Sequence, residues 1–284
     1  LDEAKGFRGE LELAQRKGAV VLELDRKQRP PRDVAAVTVQ DLGVLGAHLG
    51  REVRTDLMAQ ASAAFASYLD ALPILDELLE RWSQGKSVRG EAVSMQAITD
   101  VLDAIRIFQA RSGAVEDVLM RRESQRLFGQ TKRIEALGKW LDVLVVGDLS
   151  SSGLAMGEVL SSLGLHHQPQ PFLISAAGQA VVGKTTTHLV RPFIGLPNTG
   201  IDQIVLDRAT RYILSVENRQ TFHELAELTR DSHGCVLYTG GMPSPAWKCL
   251  YTCVLSTFIP GTIAVYHFGD LDVGGFRIAH RLNR

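Results

Sequence analysis

Cysteine is scarce. Three in 284 residues are too few, and odd in number, for a disulfide framework, so a reducing cytoplasm is the expected setting. An excess of one charge is also missing. The 31 Lys and Arg nearly balance 32 Asp and Glu, leaving a net charge of −1. That excludes a uniformly basic protein that coats nucleic acid, but it leaves room for a local basic patch. No apolar run reaches membrane-spanning length and no signal peptide is seen, so no membrane partner is expected. The 22% of charged residues and ordinary Gly and Pro levels give no sign of global disorder. Cys249 and Cys253 share a helix face but have no His at ligand spacing. They are expected to be buried small hydrophobes rather than zinc ligands. An initiator Met is also lacking, and "GFRIAHRLNR" at the other end reads as an unfinished helix, so a longer parent protein is expected.

What is present is enough apolar material for a sizeable core, 45% of the residues. The length fits two domains or three small ones. Three regions are expected: an N-terminal arm over 1–75, a central DNA-binding region over 76–195, and a catalytic region over 200–284. Residues 1–18 read as a helix. "AVVLELD" and "VAAVTVQD" read as strands around the turn "RKQRPPRD", and "LGVLGAHL" as a second helix. This helix–hairpin–helix order is like a winged-helix module. Helices dominate from 55 to 110, with Ser94 a candidate N-cap for "MQAITDVLDAIRIFQA".

Between 121 and 139 stand Arg121, Arg122, Arg126, Lys132, Arg133 and Lys139, against Glu123 and Glu135. That local basic excess suits phosphate contacts. Arg122, Lys132 and Arg133 are the candidate DNA contacts there, although a solvated helix face gives the same pattern. His166 and His167 are adjacent, so on a strand they point apart and make a poor metal clamp.

"GQAVVGKTTTH" satisfies the phosphate-loop pattern G-x-x-x-x-G-K-[ST] from Gly178 to Thr185. Such a loop needs a helix starting at the Lys-Thr. Here β-branched residues follow, then Pro192 and Pro197. The segment therefore reads as a hairpin turn, not a nucleotide site.

The last third alternates. "RYILSVEN", "GCVLYTGG" and "GTIAVYHFGDLD" read as strands; "RQTFHELAELTRDS", "SPAWKCLYTCVLSTF" and "GGFRIAHRLNR" read as helices. β-α-β-α-β-α implies parallel strands, with the site beyond their carboxyl ends. Glu217 ends the first strand, and Asp270 and Asp272 end the third. If those strands are neighbours, the carboxylates converge. Their repulsion would be relieved by a hard cation, Mg²⁺ or Mn²⁺. Gly274 and Gly275 would let backbone approach a phosphate. His267, an odd number of residues from Asp270, is expected on the opposite face from the acids, as a hydrogen-bonded strand histidine or a contact to phosphate. Arg277 could face DNA or pair with an acid.

Strand-Glu, a crossover, then strand-Asp-x-Asp resembles the toprim fold of topoisomerases, primases and some nucleases. "VENRQTFHEL", "LYTGGMPSPAW" and "YHFGDLDVGGFRIAHRL" resemble the C-terminal domain of the JetD family, the nuclease subunits of Wadjet plasmid-defence systems, related to the topoisomerase VI A subunit. "RRESQRLFGQTKRIEAL" and "KGAVVLELDRK" resemble upstream parts of that family. The resemblance implies a mixed α/β and α+β multidomain chain, with a toprim domain behind winged-helix-like, helical DNA-binding domains. It implies Glu217 as general acid/base or metal ligand, and Asp270 and Asp272 as metal ligands. It further implies double-stranded DNA as substrate, an SMC-type motor complex as partner, and a homodimer. No Tyr lies within 85–146, so hydrolysis by water fits better than a covalent tyrosyl route.

Two other readings compete. "FGDLDVG" resembles the D-x-D-x-[TV] of Asp-nucleophile phosphatases, but Gly274 stands where Thr or Val is required and the motif lies at the end of the chain. A regulator with a degenerate toprim domain would bind DNA without needing metal.

Overall fold

The computed structural model describes residues 2–25 and 33–283. The chain forms two compact units, Leu1–Ala71 with Leu75–Thr99, and Leu72–Ile74 with Asp100–Arg284.

In the first unit, helix α1 (Asp2–Arg16) leads into the antiparallel strands β1 (Val20–Leu24) and β2 (Val34–Val39), with Val20 opposite Val39. The "RKQRPPRD" turn between them lies almost wholly outside the described residues. Helix α2 (Leu42–Leu49) starts at Asp41, whose side chain accepts the Val44 N–H at 2.9 Å, and stops at Gly50 in the left-handed conformation. The helix–hairpin–helix order is present. Helices α3 (Arg54–Phe65), α4 (Ile74–Ser83) and α5 (Met95–Arg111) follow. Phe65 and Trp82 are fully buried with ring centroids 6.3 Å apart, and the indole N–H donates to Glu91 O. Ser94 caps α5 as expected, its Oγ accepting from Ala97 N at 3.1 Å.

The second unit takes in α5 from Asp100 onward, followed by β3 (Val118–Leu119), α6 (Met120–Phe128), α7 (Arg133–Ala136), α8 (Gly138–Val146), α9 (Met156–Ser162) and β4 (Leu165–His166). Then come β5 (Phe172–Ser175), β6 (Gly178–Val182), β7 (Thr185–Leu189), β8 (Ile194–Leu196) and β9 (Ile201–Leu206). The phosphate-loop pattern is a hairpin: β6 and β7 pair antiparallel through Val182 and Thr185, around Gly183 with φ +59°. Lys184 therefore begins no helix. β9 completes this three-stranded sheet on the other edge of β6.

The alternating stretch is β10 (Tyr212–Val216), α10 (Arg219–Leu228), β11 (Gly234–Tyr238), α11 (Pro245–Leu255), β12 (Ala264–Phe268) and α12 (Val273–Leu282). β10, β11 and β12 are parallel, as the alternation predicts. The sheet is nevertheless mixed. Its order is β12-β10-β11-β5-β8, and β5 and β8 join antiparallel. Alternate residues face opposite ways. Ile213, Cys235 and Leu237 pack with Trp247, Leu250 and Val254 of α11. Val216 and Val236 pack with Phe222 and Ala226 of α10.

One expectation is overturned. Cys249 is exposed and Cys253 only half-buried; Cys235 is the buried one. The inner face of α11 is filled by Trp247, Leu250, Tyr251 and Val254, so the two helical cysteines fall on its other side. Among the described residues, no helix is long and apolar enough to cross a membrane.

Candidate active site

The acids meet because β10 and β12 are neighbours in register. Ser215 pairs with His267 and Val216 with Phe268. The ladder continues one step further, Glu217 N donating to Phe268 O at 3.0 Å. Asp270 N then donates to Glu217 Oε2 at 3.3 Å. Burial raises the pKa of Glu217. The Asp270 amide opposes that rise, and the charges of Asp270, Glu158 and Asp272 add to it. The three sequence-predicted acids thus stand in one electrostatic neighbourhood.

Asp272 has a second task. It is the N-cap of α12, and its Oδ1 accepts from Gly275 N at 2.8 Å. Gly275 has no room for a side chain because the Asp270 carbonyl occupies that space. Its missing side chain thus serves the turn of its own chain. Leu271, between the two aspartates, is 93% exposed, so the Asp-x-Asp segment faces open solvent.

His267 sits otherwise than its spacing from Asp270 implies for the whole acid set. Ser215, Glu217 and His267 share one face, because Ser215 and His267 are register partners and Glu217 is two residues beyond Ser215. A Cβ on Gly269 would lie 2.7 Å from both Glu217 Oε2 and His267 Nε2. The ring's Nδ1 is 3.0 Å from Ser215 Oγ, while Nε2 is buried without a hydrogen-bond partner. Burial lowers the His267 pKa, with a contact to Ser215 working the other way. The expected strand histidine is there, but beside Glu217 rather than away from it.

Two residues escape the sequence reading. Gly269 matters through the space it leaves. Glu158, in α9, comes from far upstream of the acid motif. Its Oε2 accepts from Ala155 N at 2.8 Å, and its Oε1 approaches Gly241, just past β11. Only the Glu at the third position of a short helix, a capping-box signature, hints at it in the sequence.

The basic segment divides. Arg122 and Lys132 are exposed. Arg133 binds Asp100 at 2.7 Å and Asp103 at 2.6 Å. Arg126 makes a two-pronged pair with Glu123. Arg277 acts electrostatically on Asp148, whose pKa is lowered mainly by hydrogen bonds from Ser150. His166 and His167 diverge as expected, towards Asp117 at 3.1 Å and Glu135 at 4.0 Å.

The donors suit a hard divalent cation in kind, being all carboxylate oxygens. In arrangement they are incomplete: no group of three His, Cys, Asp or Glu among the described residues is placed to hold a metal ion.

Residues 178–284 match the family model described as Wadjet protein JetD, C-terminal. That span runs from β6 to α12 and contains Glu217, Asp270 and Asp272. This last part of the chain is similar to the C-terminal part of JetD proteins. The chain is 26% identical over 182 residues to the Wadjet protein JetD of Bacillus cereus (strain Q1), covering 62% of this chain. The match spans 44% of that relative's length. Glu158 and the basic segment lie upstream of the region matched by the JetD model.

Proposed function

We propose that this chain carries the catalytic part of a metal-dependent DNA endonuclease of the toprim type, acting in a Wadjet-type defence system. One observation carries the reading: neighbouring parallel strands deliver Glu217 against the Asp-x-Asp turn, inside a region that matches the JetD C-terminal model. Glu217 and Asp270, with the Asp272 oxygen not engaged by Gly275, would hold Mg²⁺ or Mn²⁺. When bound, such an ion would offset the repulsion among these carboxylates and supply Lewis-acid polarisation.

The chain's own groups supply the rest. Burial raises the Glu217 pKa above the ordinary carboxylate value, which suits a carboxyl that takes and returns a proton. His267, kept neutral by burial, stands beside it as a hydrogen-bonding partner rather than a fixed cation. Exposed Arg122 and Lys132 are offered to the DNA backbone. Water is the nucleophile. Double-stranded DNA, an SMC-type motor complex and a second copy of the chain are the proposed partners, in the cytoplasm.

The test is cleavage of supercoiled plasmid with and without Mn²⁺ or Mg²⁺, comparing the protein with a Glu217→Ala, Asp270→Ala double variant. Nicking or linearisation that needs both metal and acids supports the reading. The open arrangement of the donors favours a second reading, a DNA-binding regulator whose acids no longer hold metal. Plasmid binding that is indifferent to metal, without cleavage even when the motor subunits are added, would establish that one.

A further inference from the structure

A cavity of about 430 Å³ lies at the carboxyl end of β11, where Tyr238, Thr239 and Gly240 line it. Its volume is in the range of small-ligand sites. Leu160, Leu165, Phe172 and Trp247 give it apolar walls, and Tyr238 and Glu158 stand along it. Gln168 and Gln170 also line it and are exposed.

Position ties the cavity to the site. Tyr238 is the register partner of Val216, the residue before Glu217, and Thr239 N donates to Val216 O at 2.9 Å. Glu158 belongs to both places: it lines the cavity, and its charge reaches Glu217.

The lining also selects a chemistry. It contains the carboxylates of Asp117 and Glu158, the imidazoles of His166 and His167, and no Lys or Arg. The two imidazoles are already turned to carboxylates, His166 to Asp117 at 3.1 Å and His167 to Glu135 at 4.0 Å, so a phosphate or carboxylate inside would compete with those acids for them. Asp117 is already engaged by Ser244 at 2.7 Å, Asn198 at 3.1 Å and Ala246 N at 3.3 Å. Glu158 keeps an oxygen beyond the one that accepts from Ala155. The matching ligand is uncharged, with apolar faces for the walls and N–H donors for the Glu158, Gln168 and Gln170 side chains.

We infer that this cavity receives a single nucleobase, turned out of the DNA next to the phosphate held at Glu217. The inference rests on the nuclease reading for the source of the base, but not for the chemistry of the pocket. An extruded base leaves its phosphate outside, on the side where the acids stand, and satisfies its edge against carboxylate and carboxamide groups.

Gly157 provides the test. It lines the cavity, lies in α9 without a positive φ, and has nothing within 4 Å of where a Cβ would be. Gly157→Leu should therefore fold and obstruct the cavity. Gln170→Trp, on the exposed rim, is a second variant should the first fail to fold. Without metal, free deoxynucleosides are titrated against the full chain by saturation-transfer NMR. Duplexes carrying a single 2-aminopurine are titrated in parallel by fluorescence.

The expected result is nucleoside binding weakened at least tenfold by either variant. A 2-aminopurine fluorescence rise should occur at one or two positions and vanish in the variants, with duplex affinity changed less than twofold. Nucleoside binding without a fluorescence rise would overturn the DNA source and leave a free nucleoside as ligand. No nucleoside binding and no rise would overturn the inference outright. Plasmid cleavage that persists in that case leaves the nuclease reading standing, so the two failures are separable.

Discussion

Asp270 donates its backbone N–H to Glu217 Oε2 across 3.3 Å, so a main-chain donor from the Asp-x-Asp turn fixes the carboxylate of the other strand. The amide lowers the Glu217 pKa, but burial and three neighbouring acids raise it further, and the net direction is up. A carboxyl with a raised folded pKa adds stability when protonated, and that contribution is lost as pH rises through the folded value. At neutral pH, Glu217→Gln should melt higher than the parent. Glu217 is largely open to solvent screening, so the gain is on the order of 1–2 °C. Melting curves at pH 7.5 and pH 4 check this: the difference should be present at the first and close at the second. Plasmid cleavage by the same variant should fall by at least about 100-fold.

Gly269 supplies a sharper geometric test. A Cβ there would sit 2.7 Å from both Glu217 Oε2 and His267 Nε2. Gly269→Ala must push the carboxylate or the imidazole aside. A displacement near 1 Å costs about 100-fold in rate. The expected outcome is cleavage reduced to that degree, with circular dichroism and DNA affinity close to the parent. Gly274→Ala is a comparison variant, its nearest neighbour being Asp272 Oδ1 at 3.3 Å.

These two cases show which parts of the site the sequence could reveal. Strand alternation and the position of Glu217 and Asp270 at strand ends were legible, because helix and strand periodicities differ and parallel strands place their ends together. The hairpin at Gly183 was legible from its β-branched flanks. The antiparallel additions β5 and β8 were not, since short apolar runs do not disclose their sheet partners. His267 was judged by its spacing from Asp270, whereas its neighbour across the strands is set by register with Ser215, which one strand's sequence does not carry. Glu158 was hidden because sequence separation says nothing about contact. Cys249 and Cys253 were misplaced because the spacing of four defines a helix face without saying which face is inside.

The paired and exposed cations of the central segment should behave differently. Arg122 and Lys132 are exposed, whereas Arg133 is held by Asp100 and Asp103. If the first two contact phosphates, Arg122→Ala with Lys132→Ala should weaken DNA binding for all sequences. It should also flatten the slope of log affinity against log salt by about 2. Arg133→Ala should leave that slope within experimental error of the parent and lower the melting temperature instead, because two partly buried carboxylates lose their cation. Fluorescence anisotropy over a salt series, with melting curves alongside, separates the two.

Asp117 joins distant parts of the second unit. Its carboxylate accepts from Ser244, Asn198 and the Ala246 amide at the start of α11, and stands 3.1 Å from His166 Nε2. Burial alone would raise its pKa. Hydrogen bonds from His166 and Ser244, the His166 charge and the Ala246 amide outweigh that and hold it below the usual carboxylate value. A depressed carboxyl stabilises the fold above its unfolded pKa, and the contribution is lost as pH falls through the folded value. The parent should therefore lose stability on acidification below about pH 5, and part of that loss should be missing from Asp117→Asn. Asp117→Ala removes the acceptor altogether and leaves buried donors without a partner, costing about 2–4 kcal/mol. Denaturant titrations at pH 7 and pH 4 check both expectations. An Asp117→Ala protein as stable as the parent at pH 7 would show that these bonds do not hold β3 and α11 together.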